Sequence, residues 1–134
     1  MRYLLDTDHI SILQRRGGAA HATLTARLAR QPRNDIAFPV VSFHEQAVGA
    51  HAFINRARTA ADVVRGYGFS AAPVLPFDSA AASHFDQLQR QKVRLATMDL
   101  RIASIALSRG LILLTRNVGD FSKVRGLATE DWTA

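Results

Sequence analysis

The sequence predicts an α/β sandwich built on a mainly parallel sheet of four to five strands. Three observations predict it. Short apolar runs alternate with longer stretches of helical periodicity. Carboxylates stand just beyond several of those runs, at the edge of the sheet where such folds collect ligands. The chain has 134 residues, 48% of them hydrophobic and 21% charged. That is enough for one sizeable core but not two, so residues 1–134 read as a single globular domain.

Arg2–Leu5 is the first apolar run and reads as a buried strand. Asp6-Thr7-Asp8 ends it and offers N-caps to a helix over His9–Arg16, which Gly17-Gly18 breaks. A second helix runs over Ala19–Ala29, with Leu24 and Leu28 at helical spacing. Gln31-Pro32-Arg33-Asn34 is a turn. Ile36–Val41 is the second strand. Pro39 lacks an N–H, so it demotes that strand to a sheet edge or marks the strand's end. Ser42 caps a long helix on which Phe43, Ala47, Ala50 and Ile54 share a face. Asn55–Thr59 is a polar bend and Ala60–Phe69 a further helix. Val74–Phe77 is a short strand ending at Asp78, followed by a helix over Ser79–Lys92. The helix from Asp99 to Arg109 stops at Gly110, a good C-cap. Leu111–Leu114 is the fourth strand and Asn117–Asp120 a loop. Leu127-Ala128 is a candidate final edge strand, and Glu130 lies in a polar tail.

Asp6, Glu45, Asp99 and Asp120 follow the strand-like runs or open the helices after them. Carboxylates gathered near a core repel one another and lose hydration, and a bound cation is the simplest offset. Each acid has a plainer role as well. Asp6 and Asp8 can each cap the next helix, and Asp8 also suits a place behind the ligands or a water-mediated contact. Glu45 lies on a small apolar face with Val41, Val48, Gly49 and Ala52, yet Ser42 and Glu45 also match a capping box. Asp99 heads the stripe Ile102, Ala103 and Ala106 at a helix N-terminus, where an ionised carboxylate is favoured. Asp120 and Asn117, taken alone, are ordinary loop residues. A carboxylate set without cysteine or paired histidine suits a hard cation, Mg2+ or Mn2+, over zinc. The five histidines lack metal-ligand spacing and read as surface or packing residues.

The formal net charge of +6 favours a polyanionic partner, nucleic acid first, although solubility alone also accounts for it. A nuclease needs arginines that hold the phosphate backbone beside a metal pocket that does the chemistry. Arg15, Arg101 and Arg116 are the candidate phosphate contacts, and each also reads as a solvated surface charge. The absence of cysteine excludes disulfides and thiolate metal sites and suits a reducing, cytoplasmic setting. The run Tyr3–Leu5 is cut by Asp6 and Asp8, which argues against a signal peptide, and no stretch is long and apolar enough to span a bilayer.

At these same residues the chain resembles the PIN-domain nucleases, in particular the VapC-type toxins of prokaryotic toxin–antitoxin systems. The segments YLLDTDHIS, SFHEQAVGA, ATMDLRIASIALSRG, LLTRNVGDFSKVRGL and the terminal EDW carry the resemblance, in order along nearly the whole chain. It implies a PIN-like three-layer α/β/α sandwich and an Mg2+- or Mn2+-dependent endoribonuclease inhibited by a cognate VapB-type antitoxin. It implies Asp6, Glu45, Asp99 and Asp120 as the acidic set, with Thr115 and Asn117 as polar residues lining the pocket. One departure is Ala96, where many relatives carry glycine. The helices carry more apolar residues than a four-strand sheet covers, among them Ile10, Leu13, Leu24, Phe53, Ile54, Val63 and Val64. With the resemblance, that excess points to an antitoxin groove and a homodimer face.

Two other classes stay open. A phosphoacceptor signalling domain also carries acids at strand ends, but it needs a lysine after a late strand, and neither Lys92 nor Lys123 follows one. A non-catalytic binding module of the same fold, acting with a DNA-binding partner, predicts decayed acids, and this set is intact. The expected reaction is RNA cleavage by metal-activated water.

Overall fold

The computed structural model describes residues 1–15, 17–32, 35–44 and 73–134, without the side chains of 15, 43 and 44. The helices expected between 45 and 69 lie outside the described residues. Among the described residues five strands form one sheet: β1 (Tyr3–Leu5), β2 (Ile36–Pro39), β3 (Val74–Leu75), β4 (Ile112–Leu114) and β5 (Thr129–Glu130). Their order is β3-β2-β1-β4-β5, and every pairing is parallel. The described helices are α1 (Thr7–Arg15), α2 (Ala19–Leu28), α3 (Val41–His44), α4 (Ser79–Arg90), α5 (Thr97–Arg109) and α6 (Val118–Phe121).

Side-chain alternation along each strand divides the core into two layers. Tyr3 and Leu5 of β1, Ile36 and Phe38 of β2, and Leu114 of β4 point to one face. There they meet Ile10, Ile12 and Leu13 of α1, Leu24 and Leu28 of α2, and Trp132. Leu4, Ala37 and Leu113 point to the other face, against Ala81 and Leu88 of α4, Leu100, Ile102, Ala103, Ile105 and Ala106 of α5, and Phe121 of α6. The inner strands β1, β2 and β4 are buried on both faces, which is why they read as unbroken apolar runs. The architecture is the expected three-layer α/β/α sandwich. Among the described residues, no helix is long and apolar enough to cross a membrane.

The structure corrects several expectations. Ile10, Leu13 and Leu24 are fully packed into the first layer and supply no antitoxin groove. Phe53, Ile54, Val63 and Val64 lie outside the described residues. β2 is an interior strand, so the sheet-edge reading of Pro39 fails and the strand-end reading holds, Pro39 being the last residue of the strand. β3 stops at Leu75 because Pro76 has no N–H to donate. The final strand falls two residues later than expected, at Thr129–Glu130, where its backbone pairs with β4. Glu130 is therefore in the sheet and not in a polar tail. Asn117–Asp120 is not a plain loop: Asn117 stands at the N-cap of the short helix α6. α3 begins at Val41, so Ser42 is inside its first turn and not at the cap.

α5 opens at Thr97, two residues before Asp99, and ends on Gly110 in the left-handed region at φ 64°. Nothing would crowd a Cβ at Gly110, so the backbone conformation alone sets the cost of a substitution. Gly110→Ala is expected to destabilise the protein by about 1 kcal/mol in urea unfolding, without altering the site. A loss below a few tenths of a kcal/mol would show that the C-cap relaxes.

Candidate active site

The strand order brings the site residues together. The chain runs outward through β1, β2 and β3, then returns to lay β4 on the other side of β1. The carboxyl ends of β1 and β4 thus form the topological switch point, where the following segments diverge and leave a crevice. Asp6 follows β1 and Thr115 follows β4. An open cleft of roughly 400 Å3 lies there, lined by Asp6, Thr7, Asp8, Ser11, Ala96, Met98, Asp99 and Asn117.

Asp6 is 5% exposed and stands at the N-cap position of α1, its carbonyl accepting from Ile10 N–H at 3.1 Å. Its Oδ1 accepts from Thr7 N–H at 2.8 Å and its Oδ2 from the Thr115 hydroxyl at 2.8 Å. The capping role and the cleft role thus fall on the same residue. Asp8 lines the cleft one helical step on. Its Oδ2 accepts from Arg116 N–H at 2.9 Å and lies 3.3 Å from the Thr115 hydroxyl. Thr115 has one hydroxyl proton, and the shorter distance assigns it to Asp6. The same hydroxyl oxygen accepts from Asn117 N–H at 3.0 Å. Asp99 enters from the first turn of α5 and also lines the cleft.

The electrostatic consequence falls on Asp6. Burial, with the Asp8 and Asp99 charges, pushes its carboxyl up from 3.8 to about 6 against the opposing pull of its Thr115 and Thr7 donors. Thr115→Val keeps the buried shape and removes that hydroxyl. It is expected to cost about 1–3 kcal/mol, the penalty for stranding buried partners, and to raise the Asp6 titration further in carboxyl-detected NMR. An unmoved Asp6 titration would show that the hydroxyl does not hold its charge.

Other expected residues fall at varying distance from the cleft. The Asp120 side chain is 53% exposed on α6 and pairs with Lys123 Nζ at 3.7 Å. It does not line the cleft itself, but its Oδ2 accepts from Asn117 Nδ2 at 3.0 Å, and Asn117 does. Glu45 lies outside the described residues, as does the Arg15 side chain. The Arg116 side chain is exposed beside the cleft. Arg101 is turned away: it lines a second cavity of roughly 310 Å3 with Val40, Val41 and Phe77. Ala96 has φ −57°, which alanine adopts without strain, so the missing glycine costs nothing here.

The donor set fits a hard cation in kind, being carboxylate and hydroxyl oxygen around one buried, charge-stressed aspartate. Among the described residues no three acidic or histidine side chains stand close enough to hold a metal. The sequence showed Thr7 and Ser42 only as residues of helix starts. Their hydroxyls bond at 2.9 Å and tie α1 to α3 at the cleft, and only tertiary contact reveals the pair. His9 falls on the packing side of its expectation, fully buried in α1.

A PIN domain family model matches residues 3–127. Over 75 residues the chain is 41% identical to the tRNA(fMet)-specific endonuclease VapC of Shigella flexneri, a match covering 53% of this chain and 56% of that protein. The chain spans about half the length of the curated relatives it matches. In fold it is similar to VapBC-1 from nontypeable Haemophilus influenzae, with a TM-score of 0.72 at 24% identity and full coverage of both chains. It is also similar to DNA-bound VapBC from Salmonella typhimurium, with a TM-score of 0.66 at 27% identity and 98% coverage of each.

Proposed function

This chain belongs to the PIN-domain family, and from that premise we propose that it is a divalent-cation-dependent endoribonuclease, the toxin of a toxin–antitoxin pair. One observation carries the reading: a buried Asp6 whose charge is opposed by Asp8 and Asp99 across a cleft at the sheet's switch point. The names of relatives support it, one being a transfer-RNA endonuclease and others members of the VapBC toxin–antitoxin family. Transfer RNA is accordingly the first substrate to test, and a VapB-type antitoxin the partner.

In this mechanism Asp6 and Asp99 would hold Mg2+ or Mn2+, joined by Glu45 and, through Asn117, by Asp120. The cation would supply a Lewis acid that acidifies water and offsets charge on the phosphodiester. Thr115 keeps Asp6 turned into the cleft and ionised. Asn117 ties Asp120 toward the same opening. Arg116 stands where it can meet a phosphate of the RNA backbone. Among the described residues no histidine lines the cleft, and the chain has no cysteine; the attacking oxygen in this reading is that of water, and departure of the 3′ oxygen leaves 5′-phosphate and 3′-hydroxyl ends.

The experiment is incubation of the purified protein with transfer RNA in Mg2+, in Mn2+ and in EDTA, with end-group analysis. Cleavage only with added cation, leaving 5′-phosphates, is expected. Cleavage that survives EDTA, or a 2′,3′-cyclic phosphate product, would overturn the mechanism.

A further inference from the structure

His9 takes no part in the reaction above, yet its ring bridges the cleft to the far end of the described chain. Nδ1 lies 2.7 Å from Asp8 Oδ1. Nε2 lies 3.2 Å from the backbone nitrogen of Trp132. A backbone N–H can only donate, so Nε2 is the bare nitrogen, and the ring proton sits on Nδ1 and points at Asp8. The other Asp8 oxygen takes Arg116 N–H at 2.9 Å. Asp8 is therefore clamped by one donor on each oxygen while it lines the cleft beside Asp6 and Asp99.

We propose that His9 is a positioning residue that fixes the Asp8 carboxylate and, through it, the cleft's affinity for a divalent cation. The inference rests on the nuclease reading of the cleft. Without the Nδ1–H, the Asp8 carboxylate keeps only the Arg116 N–H and can turn about its last torsion. It can then draw closer to the Thr115 hydroxyl, already 3.3 Å away, and compete for the proton that Thr115 gives to Asp6. Asp8 and Asp6 then lose their set orientation together. Partners that orient a site in this way are worth about 10–100-fold in metal affinity or activity. The Trp132 bond supplies the other half of the device. It holds the imidazole from behind, so the packing of the segment after β5 keeps the ring aimed at Asp8.

Two substitutions divide the bridge. His9→Asn puts its amide nitrogen where Nδ1 stands and keeps the Asp8 bond. His9→Gln reaches the Nε2 position, where its carbonyl oxygen accepts from Trp132, and gives up Asp8. Mn2+ affinity by calorimetry, melting temperature in EDTA, and kcat and KM on RNA are measured for both. His9→Gln is expected to lose about 10–100-fold in Mn2+ affinity and kcat, with KM and the EDTA melting temperature near wild type. His9→Asn is expected within about threefold of wild-type affinity, even if it melts lower. Variants that lose affinity only in step with melting temperature, or a His9→Gln that binds Mn2+ like wild type, would overturn the proposal. The wild type gives a check that needs no variant to fold: nitrogen NMR should find His9 protonated at Nδ1 and bare at Nε2, and the opposite tautomer removes the bridge. Wild type that binds Mn2+ but cleaves no RNA would sink the nuclease reading, leaving the affinities to decide the role of His9. Wild type that binds no Mn2+ overturns both.

Discussion

Asp6→Asn is expected to abolish RNA cleavage and, in the same protein, to raise the melting temperature of the metal-free form at neutral pH. The two effects have one cause. The buried carboxyl is pushed from 3.8 to about 6, so at pH 7 it is ionised in an environment that opposes the charge. Converted at 1.36 kcal/mol per pH unit, that costs roughly 3 kcal/mol. Because the folded-state value is raised, the folded protein binds more protons than the unfolded chain between the two values. Stability therefore falls as pH rises from 3.8 to about 6 and is level above. The asparagine carries no charge and lacks that slope. Its hydrogen bonds can re-form: the carbonyl accepts from Thr7, and the amide donates to Thr115, whose proton turns to Asp8. The expected gain is a few kcal/mol at most, at about 4 °C per kcal/mol, present at pH 7.5 and absent near pH 4. Mg2+ should stabilise the wild type and leave the variant unmoved. A variant that still cleaves, or a melting difference of the same size at both pH values, would refute the account.

Trp132→Ala should produce the largest loss of stability outside the cleft, about 3–5 kcal/mol. The indole is 1% exposed and fills the first core layer. It packs on Tyr3 with ring centroids 4.7 Å apart, under the Arg27 guanidinium at 5.0 Å. Its Nε1–H donates to Glu130 at 3.0 Å, and its backbone N–H to His9. Truncation opens a cavity beside the central strand and loosens the segment that holds His9. Against a typical total of about 5–15 kcal/mol, such a loss leaves the fold marginal. Trp132→Phe keeps an aromatic ring on Tyr3 but forfeits the Glu130 bond and part of the indole's volume, so about 1–3 kcal/mol is expected, less than for alanine. Urea unfolding followed by circular dichroism reads both. An alanine variant within 1 kcal/mol of wild type would mean that the segment after β5 contributes little to the core.

The alternation of apolar runs with helical stretches determined the layered fold, because strands buried on both faces cannot carry polar residues and helices on a sheet must keep one apolar side. Placement of Asp6 was equally legible: an acid directly after a buried strand has no choice but the end of the sheet. Short elements were not legible. β5 is held by backbone pairing with β4, and Thr129 and Glu130 have no strand signature of their own. The helical turn α6 depends on Asn117 and Thr115 being fixed already. Ile10, Leu13 and Leu24 looked like surplus apolar surface because the sequence does not state how much a five-strand sheet with Trp132 on its face can cover. Of the acids the sequence singled out, Asp6, Asp8 and Asp99 line the cleft, and their inequality belongs to the structure. Asp6 is buried and opposed by Asp8, while Asp120 is half-exposed and joined to the cleft only through Asn117. Arg101, two residues from Asp99, turns to a different cavity. Those differences arise from distances across chain separations of more than a hundred residues, such as Asp6 to Thr115 and His9 to Trp132. Local pattern fixes which side chains a residue's neighbours are along the chain. Only the assembled sheet decides which distant side chains it meets.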